Sequence, residues 1–319
     1  MKKIDVIIPT FRPGERFEEI LRRLLAQSVT VNRIIIMNTE KEGWDAERFE
    51  PLFAHSQTGL SVYHISREEF DHGGTRHAAM LKSDADFCIC MTHDCMPYDR
   101  ELVRHLLEAL EAEPDAAAAY ARQLPAAGCG VIERYTRQFN YPEESRVKGQ
   151  EDLESLGIKT FFCSNVCAAY RRGRYLELGG FIRKTIFNED MIFAGHAVKA
   201  GYKIVYAADA KVIHSHNYRA AEQLRRNFDL AVSQVDHPEV FGGIASEGEG
   251  IRLVKRTASW LLRTGNGIFL PSLILQSGCK YAGYLLGRRY QKLPLPLIMR
   301  LTMNPSYWRN AQDEEKERQ

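Results

Sequence analysis

Four short apolar runs recur along the first third of the chain, and their spacing constrains the fold more than any other feature. They are Ile4–Ile8, Arg33–Met37 with its Ile34-Ile35-Ile36 centre, Leu60–Ile65 and Phe87–Met91. Each is short and mostly lacks the polar alternation of a half-exposed strand, so each reads as a buried strand. Between the first two lies Gly14–Gln27, with Phe17, Ile20, Leu21, Leu24 and Leu25 at helical spacing. Thr75–Lys82 and Arg100–Glu111 read as further helices, and Ala116–Ala121 as a fifth strand. Strands and helices alternating at these lengths imply an α/β fold, a mostly parallel sheet flanked by helices.

Order breaks between Leu124 and Lys159, a polar and charged stretch that reads as a long loop with a local helix near Ile132–Phe139. Long loops inside compact domains are often functional. Regular structure resumes at Phe161–Tyr170. Asp190–Ala200 reads as a helix closed by Gly201. Lys203–Tyr206 and Ala210–His214 read as two short strands, and Ala220–Val235 as a helix. A Gly/Pro cluster over residues 236–250 marks a boundary, giving a domain over 1–236 and a helical extension over 237–319.

The chain's 319 residues suffice for this arrangement. Its net charge of +2 hides an asymmetry: residues 251–310 hold ten of the 43 basic residues and no acid, leaving 33 against 41 elsewhere, a balance of −8. The same span interleaves those cations with Trp260, Phe269, Leu275, Tyr281 and other apolar residues. Helices with basic and apolar faces suit an anionic membrane surface. A homodimer interface or a cap on the core stands as an equal alternative. The acidic body and the lack of a recognition motif argue against nucleic acid. Seven cysteines without paired C-x-x-C spacing argue against zinc and for free thiols in a reducing compartment. The N-terminal apolar run is too short for a signal peptide, and no run reaches the roughly 18 residues of a spanning helix. The expectation is a cytoplasmic protein, with any membrane contact peripheral.

Ligands of open parallel sheets bind beyond the carboxyl ends of the strands, and the polar motifs fall there. Pro9-Thr10-Phe11-Arg12 follows the first strand and Asn38-Thr39-Glu40 the second. Asp71-His72-Gly73-Gly74-Thr75-Arg76 follows the third, with glycines that permit close approach to a ligand, a helix N-terminus and a cation suited to phosphate. A tight turn with a surface arginine is the plain alternative. Thr92-His93-Asp94 ends the fourth strand, where a carboxylate can bind a hard cation or simply cap the next helix. Glu189-Asp190 opens a helix, where one carboxylate can take a proton from a hydroxyl or serve as an N-cap. His214-Ser215-His216 ends a strand with two imidazoles pointing the same way, able to complete a metal site or touch phosphate.

Taken together, these motifs over roughly residues 3 to 230 resemble family 2 glycosyltransferases with the GT-A (Rossmann-like) fold. Phe70–Arg76 and Asn188-Glu189-Asp190 followed by Gly201-Tyr202 are similar to the rhamnosyltransferase-like members. The resemblance implies an inverting, metal-dependent enzyme of cell-surface polysaccharide synthesis. Its donor would be dTDP-L-rhamnose or a similar nucleotide sugar, and its acceptor a glycan or lipid-linked glycan. It implies Asp190 as catalytic base with Glu189 beside it, and Asp94 as ligand to Mg²⁺ or Mn²⁺. Pro9, Thr10, Arg12, Asn38, Asp71, Gly73, Gly74, Arg76 and His93 would line the nucleotide-sugar pocket. Thr92 stands where the family often has a first aspartate, a gap that His216 can fill as a metal ligand. A metal-dependent nucleotidyltransferase and a non-catalytic sugar-nucleotide binder are the competing readings.

Overall fold

The computed structural model describes residues 2–244 and 247–309. Two compact units emerge, each assembled from separated stretches. The first takes the chain up to Ala126, Tyr141–Arg183 and Glu189–His214; the second takes Ala127–Asn140, Lys184–Asn188 and the chain from Ser215 on.

The strands are β1 (Ile4–Phe11), β2 (Arg33–Thr39), β3 (Gly59–Ile65), β4 (Phe87–Met91), β5 (Met96–Pro97), β6 (Ala116–Leu124), β7 (Arg146–Lys148), β8 (Cys167–Arg171) and β9 (Lys203–Ile213). The helices, in chain order, are α1 (Glu15–Leu25), α2 (Ala46–Phe49), α3 (His72–Lys82), α4 (Leu102–Ala112), α5 (Val131–Asn140), α6 (Leu153–Leu156), α7 (Arg172–Glu177), α8 (Glu189–Lys199), α9 (Ala220–Asp236), α10 (Pro238–Phe241), α11 (Glu247–Arg263), α12 (Leu270–Gly287) and α13 (Leu295–Leu301).

All nine strands form one sheet in the order β3-β2-β1-β4-β8-β6-β9-β5, with β7 also on β9. Strands β1, β2, β3, β4, β6 and β9 run one way and β8, β5 and β7 the other. The expected mostly parallel sheet is therefore present, with one antiparallel strand inserted at its centre. Pleating sends Val6, Ile8, Ile34, Ile36, Ile89 and Met91 to one face, against Phe17, Ile20, Leu21 and Leu24 of α1 and Leu102, Val103, Leu106 and Leu110 of α4. Ile7, Ile35, Cys88 and Cys90, on the opposite face, are equally buried. Burial on both faces is why the runs of β1, β2 and β4 lack polar alternation, and each such aliphatic or Phe side chain contributes roughly 1.5–3 kcal/mol; β3, expected to be buried, is an edge strand and only partly covered.

Local structure departs from the sequence expectation at three places. Residues 203–213 form one strand rather than two, because the pairing with β6 shifts register between Ala121 and Arg122 and β9 bulges without ending. Strand β7 lies inside the stretch read as a loop; three residues on a sheet edge leave no periodic signal. Helix α3 starts at His72 because the Asp71 carboxylate accepts the Gly74 N–H and caps it.

In the second unit, α9 and α12 approach closely where Gly283 and Gly287 face the carbonyls of Leu224 and Phe228; any β-carbon there would strike backbone. Ile186, Phe228, Val232 and Ile298 form its small core. Tyr135 of α5 stacks on Trp260 of α11 with centroids 4.9 Å apart. Among the described residues, no helix is long and apolar enough to cross a membrane.

Candidate active site

The carboxyl ends of β4 and β9 bring Asp94 and His214 together. After β4 the chain turns, with the Cys95 N–H donating to the Thr92 carbonyl at 3.1 Å, and the turn presents Asp94. His214 follows β9, its N–H donating to the Leu124 carbonyl at 3.0 Å. The His214 ring is buried, with Nδ1 3.0 Å from the Gln123 side-chain oxygen. The Gln123 amide nitrogen donates to Ser164 Oγ at 3.0 Å, which fixes the amide so that its oxygen accepts from Nδ1–H. The other ring nitrogen, Nε2, then carries the lone pair, and it lies 3.5 Å from Asp94 Oδ2. A histidine oriented through one nitrogen and offering the other is the arrangement of a metal ligand. Cation-to-ligand distances of about 2.1 Å place neighbouring ligands of an octahedron about 3 Å apart, so this carboxylate and imidazole fit a divalent cation. The Thr92 hydroxyl, beside them in sequence, is buried without a hydrogen-bond partner. His93 is partly buried in the same turn. His216 lies two residues beyond His214, in the second unit, its ring stacked on Tyr218.

A second cluster forms where α8 begins. Asn188 turns the chain at a φ of +65°, a conformation asparagine tolerates, so that the helix starts at the carboxylate pair. Glu189 is buried and pairs with Arg76, Oε1 to Nη1, at 3.1 Å. It also accepts the Asn165 side-chain amide at 3.1 Å. Asp190 retains partial solvent access. It accepts the Asn165 N–H on Oδ2 and the Met191 N–H on Oδ1, both at 2.8 Å. Tyr170 OH donates to the Asn165 side-chain oxygen at 2.7 Å, holding that amide in place.

These contacts separate the two carboxylates chemically. Burial alone would raise the Glu189 carboxyl, but the charges of Arg76 and His72 and the Asn165 amide outweigh it and hold the group below the usual carboxylate range. Asp190 moves the opposite way: burial, then the adjacent Glu189 charge, push it up to about 7 against its two N–H donors. Neighbouring acids driven apart in this way make the pair a candidate for acid/base chemistry.

The glycine motif after β3 serves this pair from below. Asp71 caps α3. Gly73 lacks a side chain because the Ile182 carbonyl occupies the space a β-carbon would take. Gly74 sits directly over the Asp71 carboxylate it bonds. Arg76 is only 5% exposed, and its Nη1 meets both Glu189 and the His72 carbonyl. Sequence spacing showed glycines permitting close approach; the group that approaches Gly73 is the chain's own backbone.

At the ends of β1 and β2, Thr10 and Asn38 stand opposite each other, hydroxyl to side-chain oxygen at 3.0 Å. The Asn38 amide nitrogen donates to the Glu40 carbonyl at 3.0 Å and meets His64 Nδ1 at 3.2 Å. Pro9 is buried within β1 opposite Met37. Arg12 adopts a φ of +46° and lies 3.5 Å from Glu40, which also pairs with Arg67 at 2.9 Å. Arg67 covers the exposed Phe11 ring. His64, Arg67, Gln123 and Asn165 escaped the sequence reading. The first two lie next to noted motifs, whereas Gln123 and Asn165 gave no local signal.

One short segment ties the two clusters together. Ser164 accepts from Gln123, which orients His214; Asn165 donates to both acids of α8; and the Val166 carbonyl accepts the Thr92 N–H at 3.2 Å. The turn that presents Asp94 and the acid pair of α8 thus share one supporting segment.

Comparison with known proteins agrees. The sequence profile of Glycosyl transferase family 2 matches residues 5–179. The O-antigen chain rhamnosyltransferase RfbN of Salmonella typhimurium is 37% identical over 314 residues, 97% of each chain. WbaN of Salmonella anatum, also an O-antigen chain rhamnosyltransferase, is 35% identical over 98% of each chain. Among solved structures, the mannosyltransferase PcManGT from Pyrobaculum calidifontis, in complex with GDP-Man and Mn²⁺, aligns with a TM-score of 0.57 at 16% identity, covering 100% of this chain and 88% of that one. S. aureus TarS residues 1–349 align at 0.54 and 14% identity, covering 91% of each. These structures carry the expected GT-A fold, and with the profile match and the two near-full-length relatives they show that the chain belongs to glycosyl transferase family 2.

Proposed function

We propose that this glycosyltransferase moves an L-rhamnosyl residue from dTDP-L-rhamnose, with inversion, onto a glycan or lipid-linked acceptor of a cell-surface polysaccharide. The sugar follows the two relatives, both named as O-antigen chain rhamnosyltransferases. The observation that carries the mechanism is the divided acid pair: Glu189 locked in its charged form by Arg76, and Asp190 held nearer to solvent with raised proton affinity.

In the transfer, Asp190 accepts the acceptor hydroxyl proton as that oxygen bonds to the anomeric carbon. The bond from that carbon to the diphosphate oxygen breaks with its electron pair, and the nucleoside diphosphate leaves from the opposite face. Glu189 stays ionised and raises the proton affinity of its neighbour. Asp94 and His214 would hold Mg²⁺ or Mn²⁺; such an ion would neutralise charge on the departing diphosphate. Thr10, Asn38, Arg12 and His93, with His64, Arg67 and Phe11, would face the nucleotide at the strand ends. The test is product formation from dTDP-L-rhamnose and a lipid-linked acceptor, with the anomeric configuration of the product read by NMR. A product that retains the donor configuration would overturn the single displacement.

A further inference from the structure

Among the described residues, the second unit carries an apolar band that its own packing leaves exposed. Helix α12 faces α9 with Leu273, Gly283 and Gly287, all buried. On its other side Ile274, Tyr281 and Leu285 recur at helical spacing, with Leu275 beside them; Ile274 is 70% and Leu275 61% exposed. The turn before the helix adds Phe269 and Ile268, the latter 84% exposed, and Leu262 closes the band from the end of α11. From Thr264 to Gly287 the only charged residue is Lys280, and it is partly buried. A solvated helix face is normally charged, and a contiguous apolar band marks an interaction surface.

The charges around the band identify its partner. Arg263 stands exposed at one end and Arg288, Arg289 and Lys292 at the other, with no acidic residue from 251 to 309. A two-fold contact between copies would place the same patch on itself, so the cations flanking the band would meet one another. A bilayer bearing anionic head groups accepts both features: acyl chains take the apolar side chains, and phosphates take the arginines.

We propose that the outer face of α12 and the turn preceding it form a peripheral docking surface for an anionic membrane, with Ile268, Ile274 and Leu275 entering the head-group boundary. The inference does not depend on the rhamnosyl reading, since binding needs no donor or acceptor.

The test is cosedimentation of the full chain with phosphatidylglycerol-containing vesicles and with pure phosphatidylcholine vesicles. Binding is expected to the first and not the second, and it weakens as salt rises. Ile274→Asp with Leu275→Asp lowers vesicle affinity by at least about tenfold. Arg288→Gln with Arg289→Gln lowers it by roughly tenfold. All four positions are exposed, so melting temperatures stay near that of the parent chain. Failure of the parent chain to bind anionic vesicles overturns the proposal, as does binding indifferent to the Ile274/Leu275 change. A concentration-dependent dimer dissolved by that change, with no vesicle binding, would assign the band to a second copy instead.

Discussion

Asn165 grips Asp190 by its backbone and Glu189 by its side chain: its N–H donates to Asp190 Oδ2 at 2.8 Å and its amide to Glu189 Oε1 at 3.1 Å. The two acids of α8 are thus positioned by a residue more than twenty positions earlier, on the turn that leads into β8. Replacement by alanine keeps the grip on Asp190 and removes the one on Glu189. The expected result for Asn165→Ala is a fall in kcat with little change in donor KM, and a pH–rate profile displaced downward, because Glu189 loses a bond that favours its charge, and that charge helps to raise Asp190. Asn165→Asp, adding a carboxylate beside the pair, should displace the profile the other way, upward. A profile unmoved by either change would reduce Asn165 to a packing role.

Asp190→Asn tests the proposed base. Transfer should fall about 10²–10⁴-fold, while dTDP binding by calorimetry stays near that of the parent. In the parent chain the raised carboxyl sets the direction of two pH effects. As base, Asp190 must be deprotonated, so turnover rises as pH climbs through about 7. As a group whose folded-state pKa lies above its unfolded one, it contributes stability at low pH that is lost as pH rises from the ordinary carboxylate range toward about 7. Thermal melts across that window should therefore decline more steeply for the parent than for Asp190→Asn.

The Arg76–Glu189 pair is nearly inaccessible to water, with both side chains under 10% exposed. Removing one partner strands the other as a buried charge, so Arg76→Met should cost about 3–5 kcal/mol in denaturant unfolding. The double change Arg76→Met with Glu189→Leu should recover most of that loss without recovering activity. Additive destabilisation in the double variant would contradict the pairing.

Metal binding offers a check that needs no turnover. Titration of Mn²⁺, followed by its electron paramagnetic resonance signal, should show a site weakened strongly by Asp94→Ala and by His214→Ala. Gln123→Leu, which removes the partner of His214 Nδ1, should weaken it about 10–100-fold. An unchanged Mn²⁺ affinity in the Gln123 variant would detach the histidine from the ion.

Much of the fold was legible because burial on both faces writes itself as uninterrupted apolar runs, as at Ile34-Ile35-Ile36 and Phe87–Met91. Strand β7 and the bulge in β9 were not, since three residues carry no period and a bulge depends on the register of a partner strand. The site divides along the same line. Asp94, Glu189 and Asp190 announce themselves by sitting after strands or opening a helix. Asn165 and Gln123 act across 25 and 91 residues of sequence, through bonds to Asp190 and His214 that only the assembled sheet creates. The sequence reading held Arg76 for a ligand's phosphate; its place beneath Glu189 depends on where α8 begins.

The threading of the second unit from three stretches of chain bears on how the enzyme can be dissected. A polypeptide cut at residue 236 would take Trp260 from Tyr135, and Ile298 from the cluster that holds Ile186. Those orphaned residues belong to excursions that leave the first unit at Ala126 and Arg183, the second of them ending one residue before Glu189. Shortening the tail therefore strips packing partners from segments that lie next to the acid pair in the chain.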